Sequence, residues 1–295
     1  MLFQDVLILL VVASGWAFNV IAMKFGLMEL PPLLMLLVRF MIVAAVLVPF
    51  NPIRWQQVPL LCLLAFTFGF VHFSLLLLGM RYTDAGSAAV LVQMGTPMAM
   101  ALAAVWLKER LTLRQIIGVC GAVAGVVVLS GSPALNSWHG PALLLLSAGG
   151  WAVTTIVIKR SPPIPPLAMT GWLSLFAIPL VSLCSFLTEH HQLTLFLAAG
   201  WRGWLGIIYS ALGSSLISYS LWYWLLKKYP VNQILPWSLL SPALAVLLGA
   251  AILGEKLDQG KLLGAVLVVG SIFIAVMNPG RYGRGIPISA ERRRR

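Results

Sequence analysis

The chain has 295 residues, 60% of them apolar and 9% charged, with a net charge of +12 and a mean hydropathy of +0.95. A soluble domain carries roughly 25% charged residues, so this composition excludes one and points to a polytopic membrane protein. Four of the 20 Lys and Arg form a terminal run, Arg292–Arg295, and the others fall between apolar segments; that distribution answers to membrane topology and not to nucleic acid.

A spanning helix needs about 20 mostly apolar residues. Ten stretches meet that need: 5–25, 31–50, 57–79, 84–107, 112–131, 139–158, 166–187, 203–226, 231–254 and 260–278. The expected fold class is therefore all-α, with short connections and little outside the membrane. Met1–Asp5 has no basic run and the first stretch is too long for a leader's apolar region, so no cleaved signal is expected. Cys62, Cys120 and Cys184 each fall in a different stretch, without CxxC or Cys/His spacing. Neither a disulfide framework nor a metal site is expected, no cofactor is implied, and the thiols read as small packing groups.

Basic residues set the orientation. With the N-terminus cytoplasmic, the inner side holds fourteen: Arg54, Lys108, Arg110, Arg114, Lys159, Arg160, Lys227, Lys228, Arg281, Arg284 and Arg292–Arg295. The outer side holds five: Lys24, Arg81, Arg202, Lys256 and Lys261. This asymmetry predicts both termini inside.

The halves echo one another. Gly15-Trp16-Ala17 returns as Gly150-Trp151-Ala152 and Lys24 as Lys159, at a constant offset of 135. Pro31-Pro32 returns as Pro165-Pro166 and Tyr82 as Tyr229. Later the offset grows to about 146: Lys108-Glu109-Arg110-Leu111 is matched by Glu255-Lys256-Leu257, and Gly118 by Gly264. A long-period echo marks a duplicated unit. Five helices per half is an odd number, so the second copy runs in the opposite sense. The expected organisation is a first repeat at 1–131, an inverted second repeat at 132–278 and a basic tail at 279–295. Such inverted repeats are common in secondary transporters, with the substrate near the midplane.

These features together resemble the EamA branch of the drug/metabolite transporter superfamily: ten helices as five plus five, Gly15-Trp16-Ala17-Phe18-Asn19 in the first, Arg39-Phe40 in the second, and the Glu-Arg-Leu and Glu-Lys-Leu hairpins. The resemblance covers residues 5–278, and its signals are similar to those of the O-acetylserine/cysteine exporter type within that branch. It implies export of small metabolites, typically amino acids and their derivatives, across the bacterial inner membrane. The implied partners are a small-molecule substrate and the bilayer; the oligomeric state stays open, a monomer included.

Individual residues sharpen this. Arg39 lies about 12 Å into the second stretch at 1.5 Å per residue. A charge at that depth faces a cavity or a partner, and a guanidinium suits a carboxylate; the alternative is a structural bond to backbone carbonyls. Pro97 and Pro242 sit near the middle of the fourth and ninth stretches and free the carbonyls of Gln93 and Ser238, which are candidate pocket groups. Trp16 and Trp151 are mid-span, unlike Trp55, Trp106, Trp138, Trp201 and Trp204, which suit an interfacial belt. Asn19 and Thr155 lie one turn from these two central tryptophans and complete the candidate pocket. Tyr219, Trp222 and Tyr223 give the eighth stretch an aromatic face.

His72 is the only mid-stretch histidine, a candidate proton relay or a structural hydrogen bond. Asp5, Asp84, Glu109, Glu255 and Asp258 all fall at helix ends, which disfavours carboxylate-driven antiport. Glu109 and Glu255 read as parts of tight hairpins rather than gates; Thr112 with Gln115 has capping-box spacing and Asp258 suits an N-cap. Gly118, Gly121 and Gly125, with Gly260 and Gly264, form small-residue faces for close helix contact. The alternatives are a broad drug exporter and, from another class, a membrane enzyme or scaffold, which would need a nucleophile–base or metal constellation.

Overall fold

The computed structural model describes residues 1–79, 82, 91–130, 138–253 and 259–276, and every regular element among them is helical. In lipid each backbone N–H and C=O must be satisfied inside the chain, and a helix does this without a neighbour. In chain order the rods are α1 (Phe3–Leu27), α2 (Pro32–Leu47), α3 (Trp55–Gly79), α4 (Leu91–Trp106) and α5 (Leu113–Ser130). They continue with α6 (His139–Arg160), α7 (Pro166–Thr188), α8 (Trp201–Lys228), α9 (Val231–Ser238, then Leu240–Leu253) and α10 (Gln259–Val276). Among the described residues six rods are long and apolar enough to cross a membrane: α1, α2 with its extension to Phe50, α3, α6, α7 and α8.

Proline and its neighbours set several boundaries. Pro31 and Pro165 precede helices that open on Pro32 and Pro166, where the missing N–H costs nothing. Pro49 converts the end of the second stretch into a 3₁₀ turn, Val48–Phe50. The connection after α7 is less bare than expected, because Gln192–Ala198 folds into a short surface helix. The residues around Glu255–Asp258, the start of the fourth stretch at 84–90, the 131–137 connection and the tail lie outside the described residues.

Two rods carry π-helical stretches, Ala65–His72 in α3 and Tyr209–Tyr219 in α8. The repeated glycines pack on them. A Cβ on Gly15 of α1 would lie 2.1 Å from Ser218 Oγ in the α8 stretch. A Cβ on Gly150 of α6 would lie 2.8 Å from the Thr67 carbonyl in the α3 stretch. Thus α1 crosses α8 and α6 crosses α3 at matching places in the two halves. The small faces of α5 and α10 meet each other: a Cβ on Gly125 would lie 3.0 Å from the Gly264 carbonyl. That is a contact between halves, in addition to any packing within each hairpin.

Trp55, Trp138 and Trp201 are exposed near rod ends, Trp16 and Trp151 are half-buried, and Trp222 is 2% exposed. The cysteines do not pack inside. Cys62 and Cys120 are exposed and Cys184 is half-buried, since the outward face of a membrane rod is as apolar as its core.

Carboxylates at the rod ends cap distant helices. Glu189 after α7 accepts from the Leu33 and Leu34 N–H groups at 2.7 and 2.9 Å, where α2 begins. Glu29 after α1 accepts from Gly200 and Gly203 at 2.9 and 2.7 Å, where α8 begins. Each carboxylate there meets two of the orphan donors and the positive end of the helix dipole. The Thr112–Gln115 capping box closes as its spacing predicts, with Thr112 N–H to Gln115 Oε1 at 3.0 Å.

Candidate functional site

Arg39 is the centre of the buried polar groups. It is 2% exposed, and its Nε donates to Ser215 Oγ of α8 at 2.8 Å. Its Cζ lies 4.3 Å from the centre of the Phe73 ring of α3. The cation is therefore held by a ring face and one hydroxyl, not by backbone carbonyls. Its Nη2 is buried without a hydrogen-bond partner. An unmet buried donor costs roughly 1–3 kcal/mol, more for a charged one, so this nitrogen is a costly feature of the fold.

Aromatic rings run from this guanidinium across the bundle. Phe73 packs edge-on to Tyr219 at 5.8 Å, and Tyr219 lies 5.1 Å from Trp16. Trp16 lies 5.1 Å from Trp222, which stacks at 6.4 Å on Trp151. Trp151 in turn reaches α4, within 3.0 Å of where a Cβ on Gly95 would stand. The structure thus brings Arg39, Trp16 and Trp151 into one file, with Tyr219 and Trp222 as the links between them. Other buried polar atoms without partners are Trp16 Nε1, Ser74 Oγ, Ser214 Oγ and Trp237 Nε1. With Arg39 Nη2, among the described residues these are three N–H groups, which can only donate, and two hydroxyls, which donate or accept.

The proline breaks appear where expected. The helix tightens to a 3₁₀-type turn at Met94 and Leu239, both right-handed, with ψ of −17° and −11°. Met94 N–H turns to the Leu91 carbonyl and Leu239 N–H to the Pro236 carbonyl, at 3.2 Å each. The two breaks touch: Thr96 Oγ1 lies 3.2 Å from Ser238 Oγ, which also donates to the Leu235 carbonyl at 2.7 Å. Gln93, Pro97 and Pro242 are half-buried beside them.

Other candidates are already engaged. Asn19 Oδ1 accepts from Ser210 at 2.7 Å and its amide donates to Met23 Sδ at 3.1 Å. Thr155 donates to the Trp151 carbonyl one turn back, at 3.0 Å. His72 Nδ1 lies 3.1 Å from the Ser147 carbonyl and 3.0 Å from its hydroxyl, and that hydroxyl donates to the His72 carbonyl at 2.8 Å. Its ring stacks on Phe68 at 5.2 Å. Glu109 reaches beyond its own hairpin and accepts from Val231 N–H at 3.1 Å, the first residue of α9.

Sequence reasoning passed over Ser215, Ser214, Phe68 and Phe73. A serine or phenylalanine in an apolar helix carries no local mark of function. The one usable signal was Ser214-Ser215 beside Gly213, a polar step inside an otherwise apolar rod.

A model of the EamA-like transporter family matches residues 4–131 and again 138–277. The chain is 31% identical over 286 residues to a Salmonella typhimurium protein named a probable amino-acid metabolite efflux pump, covering 92% of this chain and 95% of that protein. It is 29% identical over 290 residues to an Escherichia coli protein of the same name, with the same coverage. An Archaeoglobus fulgidus protein named only as an uncharacterized transporter is 25% identical over 276 residues, covering 92% of this chain and 98% of that one. A crystal structure matches with a TM-score of 0.75 at 20% identity, over 93% of this chain and 97% of the other, a likeness of fold alone.

Proposed function

Since the chain belongs to the EamA-like transporter family, we propose that it is a secondary transporter of the bacterial inner membrane that exports amino acids or their derivatives by alternating access. The observation that carries this reading is the unpartnered Nη2 of Arg39, a buried cation with a free donor. A carboxylate supplies the missing charge and accepts from two guanidinium N–H groups at once. Trp16, Trp151, Tyr219 and Trp222 offer apolar faces for the rest of the substrate. The names of the Salmonella and Escherichia relatives support the same class.

The reading takes the ten helices as two five-helix units of opposite sense, 1–131 and 132–278, with both termini cytoplasmic. The doubled family match and the paired crossings of Gly15 on α8 and Gly150 on α3 support it. It assigns Gln93, Pro97, Ser238 and Pro242 to the flexible breaks beside the pocket. His72, Asn19 and Thr155 become its structural frame. No enzymatic step is needed.

Metabolite profiling of the medium, with and without overexpression, tests the reading. Accumulation of amino-acid-like carboxylates supports it. Efflux confined to apolar cations would replace it with the drug-exporter reading, in which the aromatic file alone does the binding.

A further inference from the structure

One face of the molecule gathers charges around a single turn. The turn, Lys227–Val231, joins α8 to α9. Lys228 Nζ donates to both oxygens of Asp5, at 2.9 Å each, and the Tyr229 hydroxyl donates to the same carboxylate. Asp5 is 2% exposed, so this carboxylate depends on those two donors. Lys159 at the end of α6 donates to the Leu226 and Tyr229 carbonyls, at 3.0 and 2.6 Å, the orphan acceptors where α8 ends. Lys227 answers by donating to Ser161 Oγ at 2.9 Å, just past the end of α6. Glu109 holds the opening N–H of α9 at 3.1 Å. Three separate parts of the chain, Asp5, Glu109 and Lys159, thus grip one turn.

The two arms of this hairpin share a second property. Each has a weak point about two turns from the tip. In α8 it is the π-helical stretch ending at Tyr219, and in α9 it is the break at Leu239. Long π stretches and interruptions of the i→i−4 ladder are where a rod bends. The segment between them, Ser220–Ser238, carries Trp222 and Tyr223 at one end and the gripped turn at the other. The same π stretch carries Ser215, which binds Arg39.

We propose that Ser220–Ser238 is the inner gate of the carrier and that Asp5 and Lys159 are the positioning residues that latch it shut. This rests on the reading of Arg39 as the substrate site. When the latch releases, the hairpin swings about Tyr219 and Leu239, carries Trp222 away from Trp16, and opens the file to the side that holds Lys159, Arg160, Lys227 and Lys228. Ser215, which binds Arg39, lies on the same rod as the latched hairpin, so site and gate share α8.

The test is sided thiol labelling. Cys62, Cys120 and Cys184 are replaced by alanine, Ser214→Cys places a thiol beside Ser215, and a membrane-impermeant maleimide is added to right-side-out or inverted vesicles. With the latch intact, labelling from the cytoplasmic side is slow. In Lys159→Met, which loses two charge-assisted hydrogen bonds, or Asp5→Asn, which loses its charge, it should rise about tenfold or more. Lys159→Arg should keep labelling slow, because a guanidinium still donates to the two carbonyls. Lys228→Gln gives the same test if Asp5→Asn fails to fold. Equal labelling of latched and unlatched protein, or a rise on both sides alike, overturns the proposal. A failed Arg39 reading looks different: carboxylate binding is then untouched by Arg39→Ala whatever the labelling shows.

Discussion

Arg39 and Ser215 join α2 to α8 through a 2.8 Å hydrogen bond, and the same guanidinium keeps Nη2 buried and unpaired. One side chain thus does two things. Its Nε and its contact with Phe73 hold it in place, and its Nη2 is the donor that the proposed substrate carboxylate would meet. If Ser215 only positions the guanidinium, Ser215→Ala should weaken binding of a carboxylate substrate by less than Arg39→Ala does. About threefold to tenfold is expected from loss of one hydrogen bond worth roughly 0.5–1.5 kcal/mol. Isothermal titration on purified protein measures it.

The rod-end caps predict stability. Glu189 uses both oxygens at the start of α2. Glu189→Gln leaves one acceptor and no charge at a helix N-terminus, a loss of about 1–2 kcal/mol. The thermal unfolding midpoint in detergent should fall, with substrate affinity unchanged.

Two glycines make a matched pair. A Cβ on Gly206 would lie 2.7 Å from Gly26 Cα and 2.9 Å from the Ala22 carbonyl, where α1 and α8 touch backbone to backbone. Nothing flexible can move aside, so Gly206→Ala should destabilise by about 1–3 kcal/mol or block folding. Around Gly149 there is nothing within 4 Å, and Gly149→Ala should be neutral or stabilise by up to about 1 kcal/mol. Expression yield and unfolding midpoint report both.

Topology is tested by fusion reporters. A periplasmic reporter should be inactive after Arg295 and active near Asn136. The reverse would overturn the orientation, and the same result at both fusion sites would remove the five-plus-five inverted repeat. Deleting Glu291–Arg295 should leave transport intact if the tail only fixes topology.

Much of this was legible from the chain because membrane chemistry is costly to violate. A lone arginine in an apolar run, prolines in mid-span and a repeated Gly-Trp-Ala step all stand out against leucine and alanine. Hence Arg39, the interruptions near Pro97 and Pro242 and the small-residue faces of α5 and α10 stand out in the sequence, whereas the partners of Gly15 and Gly150 do not. The π stretches were not, since a hydrogen bond five residues back leaves no periodic trace in a uniformly apolar rod. The caps by Glu29 and Glu189 were hidden for another reason: their partners lie more than 150 residues away, and nothing local names them. Asn19 and Thr155 stand out as pocket candidates because polarity in mid-span suggests function. Ser210 and the Trp151 carbonyl satisfy them instead.

The most direct measurement is the affinity of purified, folded Arg39→Ala for an amino-acid carboxylate, beside wild type and Arg39→Lys. A lost hydrogen bond to a charged group is worth roughly 1.5–3 kcal/mol, so Arg39→Ala should bind about tenfold to a hundredfold more weakly. Arg39→Lys should recover part of the loss, keeping the charge without the bidentate geometry. A well-folded Arg39→Ala protein with wild-type affinity for the carboxylate would contradict the account.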